Sequence, residues 1–266
     1  MHPLGGAARE VQLSTGDRVV AKSHDLPGAA RAEAASLEWL AEPGFVAVPR
    51  LRASNDSWLV TDLVASGSSS RKAAEDLGRG LARLHAAGAP AFGSPPAGGP
   101  ADASIGLAPM QNVECDSWPE FYGRHRIEPY LRTAVDRGSI GSGQAQVFHD
   151  VIARLEELAG PPEPPARLHG DLWSGNVLWG ADGRAWLIDP AAHGGHRETD
   201  LAMLQLFGCP HLDTILGAYN EEAPLAGGWR QRVQLHQLFP LLVHTVLFGG
   251  GYAAQAAGAA RAALTA

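Results

Sequence analysis

The stretch "LHGDLWSGNVLWGADGRAWLID", Leu168–Asp189, decides how this chain is read. Val177–Trp179 and Ala185–Ile188 are apolar runs joined by Gly180-Ala181-Asp182-Gly183, the pattern of two short strands closed by a tight hairpin. Hairpin ends are neighbours in space, so Asn176 before the first strand and Asp189 after the second should meet, although they are 13 residues apart (189 − 176). An amide oxygen and a carboxylate converging there form a hard-oxygen pair suited to Mg²⁺, which takes one or two protein ligands and fills its shell with phosphate oxygens and water. Asp171 precedes Asn176 by five residues, in a loop that Gly170 and Gly175 allow to turn sharply. An acidic group beside the metal pair, but not on the metal, can accept the proton of an attacking hydroxyl. D-x-x-x-x-N followed by a second Asp is the arrangement that phosphoryl transfer needs.

Such chemistry also needs a phosphate anchor elsewhere, and the first 65 residues offer one. Glu10–Leu13 and Arg18–Lys22 alternate around Thr15-Gly16-Asp17 as a hairpin. "ARAEAASLEWLAE" carries Ala34, Leu37 and Leu40 at helical spacing, and "VPRLRAS" and "SWLVTDLV" read as two more strands. Lys22 closes the second strand and Glu33 sits in the helix, an ion pair placed to hold the lysine toward nucleotide phosphates. Gly5 and Gly6 could open the loop covering those phosphates. After the polar break "SGSSS", Ser66–Ser70, the character becomes helical. "RKAAEDLGRGLARLHAAG" is amphipathic, "PAFGSPPAGGPADASIG" reads as a loop, and "WPEFYGRHRIEPYLRTAVDRG" and "SGQAQVFHDVIARLEELAG" read as helices. From about Glu198 onward the chain reads as helix. The predicted architecture is α+β and two-lobed: an antiparallel-sheet lobe with one helix over 1–65, and a larger, mainly helical lobe over 66–266.

Composition narrows the function classes. At 45% hydrophobic and 18% charged residues, the 266-residue chain can bury a substantial core. A net charge of −7 disfavours nucleic-acid binding, which requires clustered Lys and Arg, and suits a cationic or amine-bearing substrate. Two distant cysteines, Cys115 and Cys209, supply neither a disulfide framework nor a zinc motif and fit a reducing cytoplasm. "MHPLGGAARE" lacks the features of a secretory signal, and "LFPLLVHTVLFGG" is shorter than a membrane span and reads as a buried core helix.

Taken together, "HGDLWSGNV", "IDPAAHGGHRETDLAMLQLFG", "WPEFYGRHRIEPYL" and "HQLFPLLVHTVLFGGGY" resemble the fructosamine (ketosamine) kinase family, within the aminoglycoside-phosphotransferase and protein-kinase-like superfamily. The resemblance extends from about Gly5 to the last helix. It implies a protein-kinase-like fold, ATP and Mg²⁺ as cofactors, and a sugar hydroxyl of a fructosamine or ribulosamine as acceptor, free or on a protein amine. By position, Asp171 resembles the catalytic base, Asn176 and Asp189 the magnesium ligands, and Lys22 and Glu33 the nucleotide anchor. Thr61, Asp62, Leu63 and Val64 resemble the hinge that meets adenine through its backbone. Trp173 resembles the aromatic beside the sugar, and the helix carrying Trp118 and Arg126 a wall of the acceptor pocket. The chain departs from the family in having only "MHPL" before Gly5, which predicts a clipped phosphate lid, and in placing His193 and Gly194 where the family tends to carry bulky aromatics.

Other readings of the same residues are a kinase of another small acceptor (an aminoglycoside, a choline-like amino alcohol or a homoserine-like metabolite), a non-catalytic nucleotide or sugar binder, and a metal-dependent phosphohydrolase, which would usually want further ligands for a two-metal clamp. No partner beyond a small-molecule substrate or a glycated protein is implied, and a monomer or weak dimer is expected. His169 reads as a tether of the catalytic loop, His85 as a buried helix contact and Asp200 as a helix cap. His193 and His196, spaced HxxH, lack further ligands nearby.

Overall fold

A computed structural model of the chain describes residues 8–266; Gly5 and Gly6, expected over the phosphates, lie outside the described residues. The first lobe is a four-stranded antiparallel sheet in the order β1-β2-β4-β3, from β1 (Ala8–Gln12), β2 (Arg18–Ser23), β3 (Leu51–Ser54) and β4 (Trp58–Asp62). Lys22 stands opposite Leu59 in the β2–β4 register. Helix α1 (Ala29–Ala41) lies against the sheet, burying Leu37 beside Leu59 and turning Glu33 inward. Removing these apolar side chains from water drives the contact; each fully buried leucine contributes roughly 1.5–3 kcal/mol.

The helical lobe begins with α2 (Arg71–Ala86), whose N-terminus is capped by Ser70 Oγ accepting from Ala73 N–H at 3.1 Å. The start of the serine-rich break before it is tied to the late hairpin by backbone hydrogen bonds. Gly67 N–H donates to Trp179 O at 2.6 Å and Ala181 N–H to Ala65 O at 2.8 Å. A Cβ at Gly67 would sit 2.7 Å from Gly180 O, so the glycine lets the connection lie flat on the hairpin. Along the chain, "ADASIG" differs from the loop expected of it. β5 (Asp102–Ile105) and β6 (Ala108–Gln111) form a small hairpin, because Gly106, at φ +55°, supplies the turn that the Pro/Gly count masks.

The next helical segment is also less regular than its periodicity predicts. A short α3 (Trp118–Phe121) runs into a π-helical turn over Tyr122–Ile127 before α4 (Glu128–Asp136). π-turns of this kind re-aim side chains within a helix. α5 (Ser142–Ala153), α6 (Leu155–Leu158) and β7 (Ala166–Leu168) lead to the hairpin β8 (Val177–Trp179) and β9 (Ala185–Leu187), then to β10 (His193–Gly195), which pairs with β7. α7 (Arg197–Leu206), α8 (Leu212–Glu222), α9 (Trp229–His236), α10 (Leu238–Phe248) and α11 (Gly251–Thr265) complete the lobe. Among the described residues no helix is long and apolar enough to cross a membrane, and α10 packs in the core.

Candidate active site

Both turns of the opening stretch depend on glycine, for different reasons. Gly170 adopts φ +82°, and a Cβ there would lie 2.0 Å from Ala191 O, so only glycine lets β7 and the segment after Asp189 close on each other. Gly175 needs no unusual φ; a Cβ on it would lie 2.1 Å from the Trp173 ring, so its missing side chain is the floor on which the indole rests. Gly175→Ala should therefore displace the indole. If Trp173 meets the acceptor as the resemblance implies, acceptor KM should rise about tenfold with nucleotide KM unchanged, checked by steady-state kinetics, since roughly 1.4 kcal/mol of lost packing corresponds to a factor of ten.

The loop between these turns is tied at both ends. His169 Nδ1 accepts Asp171 N–H at 3.2 Å and Nε2–H donates to Ile188 O at 3.0 Å, which fixes the neutral tautomer; burial lowers the pKa of this imidazole and supports that form. Asp200 then holds the backbone from below, its two oxygens accepting His169 N–H at 2.7 Å and Gly170 N–H at 3.0 Å, with His85 Nε2 3.2 Å away. His85 Nδ1 in turn meets Tyr219 OH at 2.8 Å. Asp200 is thus an anchor of the catalytic loop rather than the helix cap its position suggests; His196 caps α7 instead, by Nδ1 accepting from Glu198 N–H at 3.2 Å.

At the mouth of this framework, Asn176 Nδ2 donates to Asp171 Oδ2 at 3.0 Å and to Asp171 O at 2.8 Å. That leaves Asn176 Oδ1 as a hard acceptor. Asp189 occupies left-handed space, φ +52°, a conformation Asp tolerates and one that clusters at functional sites. Its Oδ1 lies 3.0 Å from Lys22 Nζ, and its side chain is 43% exposed, leaving carboxylate surface open to the cleft. An amide oxygen and a carboxylate on two residues that line the cleft are the donor chemistry of a Mg²⁺ site, so the residues present fit that ion.

Lys22 is the junction of the lobes. Nζ is 2.8 Å from Glu33 Oε2 as well as 3.0 Å from Asp189, with the side chain only 13% exposed. Burial alone would lower the lysine pKa, but the two carboxylates outweigh it and raise it, so the ammonium is held charged. Glu33 is kept ionised in the same way: burial opposes its charge, and His24, at 3.2 Å, together with Lys22 overcomes the penalty. The Asp171 carboxyl moves the other way, up to about 7. Burial is the main cause, the Asn176 hydrogen bond opposes it, and the neighbouring charges of Asp189 and Asp200 add to it. A carboxylate poised near neutrality is what a general base requires.

These groups open onto a cavity of about 420 Å³ lined by Lys22, Glu33, Asp171, Trp173, Asn176 and Asp189 on one side and by the β5–β6 hairpin and α10 on the other. The remaining predicted positions lie elsewhere. Trp118 is buried behind the cavity, stacked on Tyr122 with ring centroids 4.5 Å apart and 4.6 Å from His236. Arg126 is buried over the Phe121 ring, its guanidinium donating to Gln111 O and to Asn112 Oδ1, each at 2.8 Å; burial draws its pKa down to about 10. Neither lines the cavity. Trp118, in α3, and Arg126, in the π-turn, both lie in the core, and the wall position falls to Asn112, which Arg126 holds from behind and which no sequence motif marks. Nor do Thr61, Asp62, Leu63 and Val64 line it: Thr61 pairs with Val20, Asp62 holds Arg52 at 2.5 Å, and Leu63 N–H donates to Arg18 O. The HxxH spacing does not unite its histidines. His193 lies against Phe121, whereas His196 stands with Glu198 and His236, a group whose ligand-type atoms lie within 4.8 Å. Arg232 clamps both Glu198 oxygens at 2.6 and 3.0 Å, which makes this an ion-pair network of the core.

The site and the two-lobed frame define a phosphotransferase of protein-kinase-like fold. The fructosamine kinase family model matches residues 17–266, and the chain belongs to that family. It is 36% identical over 231 residues to a candidate ketoamine kinase from Synechocystis, covering 85% of this chain and 75% of that protein. It is 32% identical over 236 residues to the chloroplastic protein-ribulosamine 3-kinase of Arabidopsis thaliana, covering 86% and 70%. The crystal structure of a candidate fructosamine-3-kinase from Thermobifida fusca superposes with a TM-score of 0.93 at 48% identity, covering 100% of this chain and 92% of the other.

Proposed function

We propose that this protein transfers the γ-phosphoryl group of ATP to a sugar hydroxyl of a fructosamine- or ribulosamine-type ketosamine. The observation that carries the reading is the convergence of Lys22, Asp171, Asn176 and Asp189 on one cavity whose other side is free to take a sugar. In this reading the division near residue 65 separates nucleotide from acceptor. The Thr61–Val64 segment meets adenine; since Leu63 N–H is committed to Arg18 O and Asp62 N–H to Arg50 O, the contact uses backbone groups of the segment other than these two.

Lys22, locked between Glu33 and Asp189, presents a fixed positive charge to the nucleotide phosphates. Asn176 and Asp189 would hold Mg²⁺, which when bound neutralises phosphate charge. Asp171 accepts the proton of the sugar hydroxyl at a carboxylate oxygen whose direction the Asn176 amide fixes. Trp173 gives the sugar a flat face, and its indole offers a cation–π contact to the ketosamine amine. The cavity's charge agrees: Lys22 is paired, and Asp171 and Asp189 face inward, which favours a cationic acceptor.

The deciding measurement is ADP release with a panel of acceptors in the presence of Mg²⁺. Release with fructosamines or ribulosamines, abolished by chelation and restored by Mg²⁺, is expected; release with aminoglycosides alone would reassign the acceptor. Lys22→Met should lower kcat/KM for ATP by about 10²-fold or more, since a buried, doubly paired charge leaves its partners unpaired.

A further inference from the structure

Beyond Trp173 the cavity continues into features that the phosphoryl-transfer groups do not use. Trp173 meets Phe207 edge to face with centroids 6.1 Å apart, and Phe207 lies 5.1 Å from His244. His244 in turn lies 5.5 Å from Phe248 and 5.0 Å from Tyr252, which are themselves 5.9 Å apart. All five rings line the cavity, so an unbroken aromatic track runs from the residue beside the catalytic base to the surface. Along it Phe207 is 40% and Phe248 44% exposed, although apolar side chains of this size are usually buried.

The track's polarity is equally specific. His244 Nδ1 lies 2.7 Å from Pro240 O; a carbonyl can only accept, so Nδ1 carries the hydrogen and Nε2 of the neutral ring keeps a lone pair. Burial lowers the His244 pKa, in keeping with a neutral ring. None of the five residues carries a positive charge, so an anionic group on the track would find no counter-ion. A protonated amine would find aromatic faces and an imidazole lone pair.

We infer that the Trp173–Phe207–His244–Phe248–Tyr252 track is a subsite for the amine-bearing substituent of the acceptor, selecting a protonated secondary amine that carries an apolar alkyl or aryl group and rejecting substituents that end in an anion. The inference rests on the ketosamine reading of the site and adds which ketosamines it takes. With the sugar on Trp173, the amine falls near Phe207 and His244, and its substituent lies on Phe248 and Tyr252. The β5–β6 hairpin faces the track across the cavity with Ala103, Ile105 and Gly106, which add no charge.

The test uses fructosamines of methylamine, butylamine, benzylamine and β-alanine, with both nucleotide-free binding by calorimetry and ADP release measured. Affinity and kcat/KM should rise from the methyl to the butyl and benzyl adducts, the last by about tenfold, and fall for the β-alanine adduct. In Phe248→Ala and Tyr252→Ala the benzyl-to-methyl ratio should drop toward one. It should persist in Phe45→Ala, an equally exposed phenylalanine outside the cavity. Phe248 is a rim side chain, so a melting temperature near wild type will show that its variant is folded. Equal affinity across the series, tighter binding of the β-alanine adduct, or no binding of any adduct overturns the subsite. Graded binding without ADP release upholds the subsite and overturns the kinase reading instead.

Discussion

Asp171→Asn should cut turnover steeply while making the protein more stable. General-base assistance is worth about 10²–10⁴-fold, so kcat should fall by roughly three orders of magnitude with nucleotide affinity nearly unchanged. The stability gain follows from the sign of the pKa shift. Burial raises the folded-state value to about 7, above the usual carboxylate range. The folded protein therefore holds this proton more tightly than the unfolded chain. Ionisation costs stability progressively as pH rises from about 4 toward 7, and that cost is full above pH 7. Asn carries no charge and still accepts from Asn176 Nδ2. The melting temperature of Asp171→Asn should thus exceed wild type at pH 8 without divalent cation, and the difference should vanish near pH 4. Equal melting curves at pH 8 would show that the carboxylate is better solvated than its surroundings suggest. Retained turnover would remove Asp171 from the base role. The wild-type kcat/KM should rise with pH as the base form accumulates, since only the carboxylate can accept the hydroxyl proton.

The second large effect lies one layer below. Asp200→Ala removes the acceptor of two backbone N–H groups, His169 at 2.7 Å and Gly170 at 3.0 Å, and leaves His85 without its carboxylate. Each orphaned buried polar group costs about 1–3 kcal/mol, and Asp200 satisfies three of them. For a chain of this size each kcal/mol shifts the melting temperature by about 2–4 °C, so a fall on the order of 10 °C is expected. Turnover should fall as well at temperatures where the variant is folded, because Gly170 adjoins the base. Asp200→Asn keeps one acceptor oxygen and should recover part of both losses. A variant with wild-type melting and lost turnover would mean that Asp200 acts on the substrate and not on the loop.

The site's members were legible to the extent that their geometry is local. Asn176 and Asp189 flank one hairpin, and Asp171 shares its loop, so chain connectivity alone brings them together. The Lys22–Glu33 pair was readable because a strand followed by a helix leaves few places for an inward lysine to find a partner. Asn112 was not legible. Its place on the cavity wall depends on the β5–β6 hairpin, concealed in a Pro/Gly-rich stretch, and on Arg126 reaching it from a π-turn that helical periodicity does not reveal. Trp118 and Arg126 were expected on that wall from the family resemblance. Both side chains are buried in the core instead, Arg126 from within the π-turn and Trp118 from the short helix before it. The aromatic track was likewise hidden, since Trp173, Phe207 and the run His244–Phe248–Tyr252 come from three separate segments.

Sequence by itself therefore determined the reaction class, the lobed order of strands and helices, and the convergence of Asp171, Asn176 and Asp189, because these rest on residue type and short-range spacing. Tertiary structure decided what surrounds them: that Asp200 is a backbone anchor, that Gly175 is a floor for an indole, and that the cavity beside them ends in aromatic rings. Those facts depend on contacts between distant segments, and side-chain packing between such segments leaves no periodic trace along the chain.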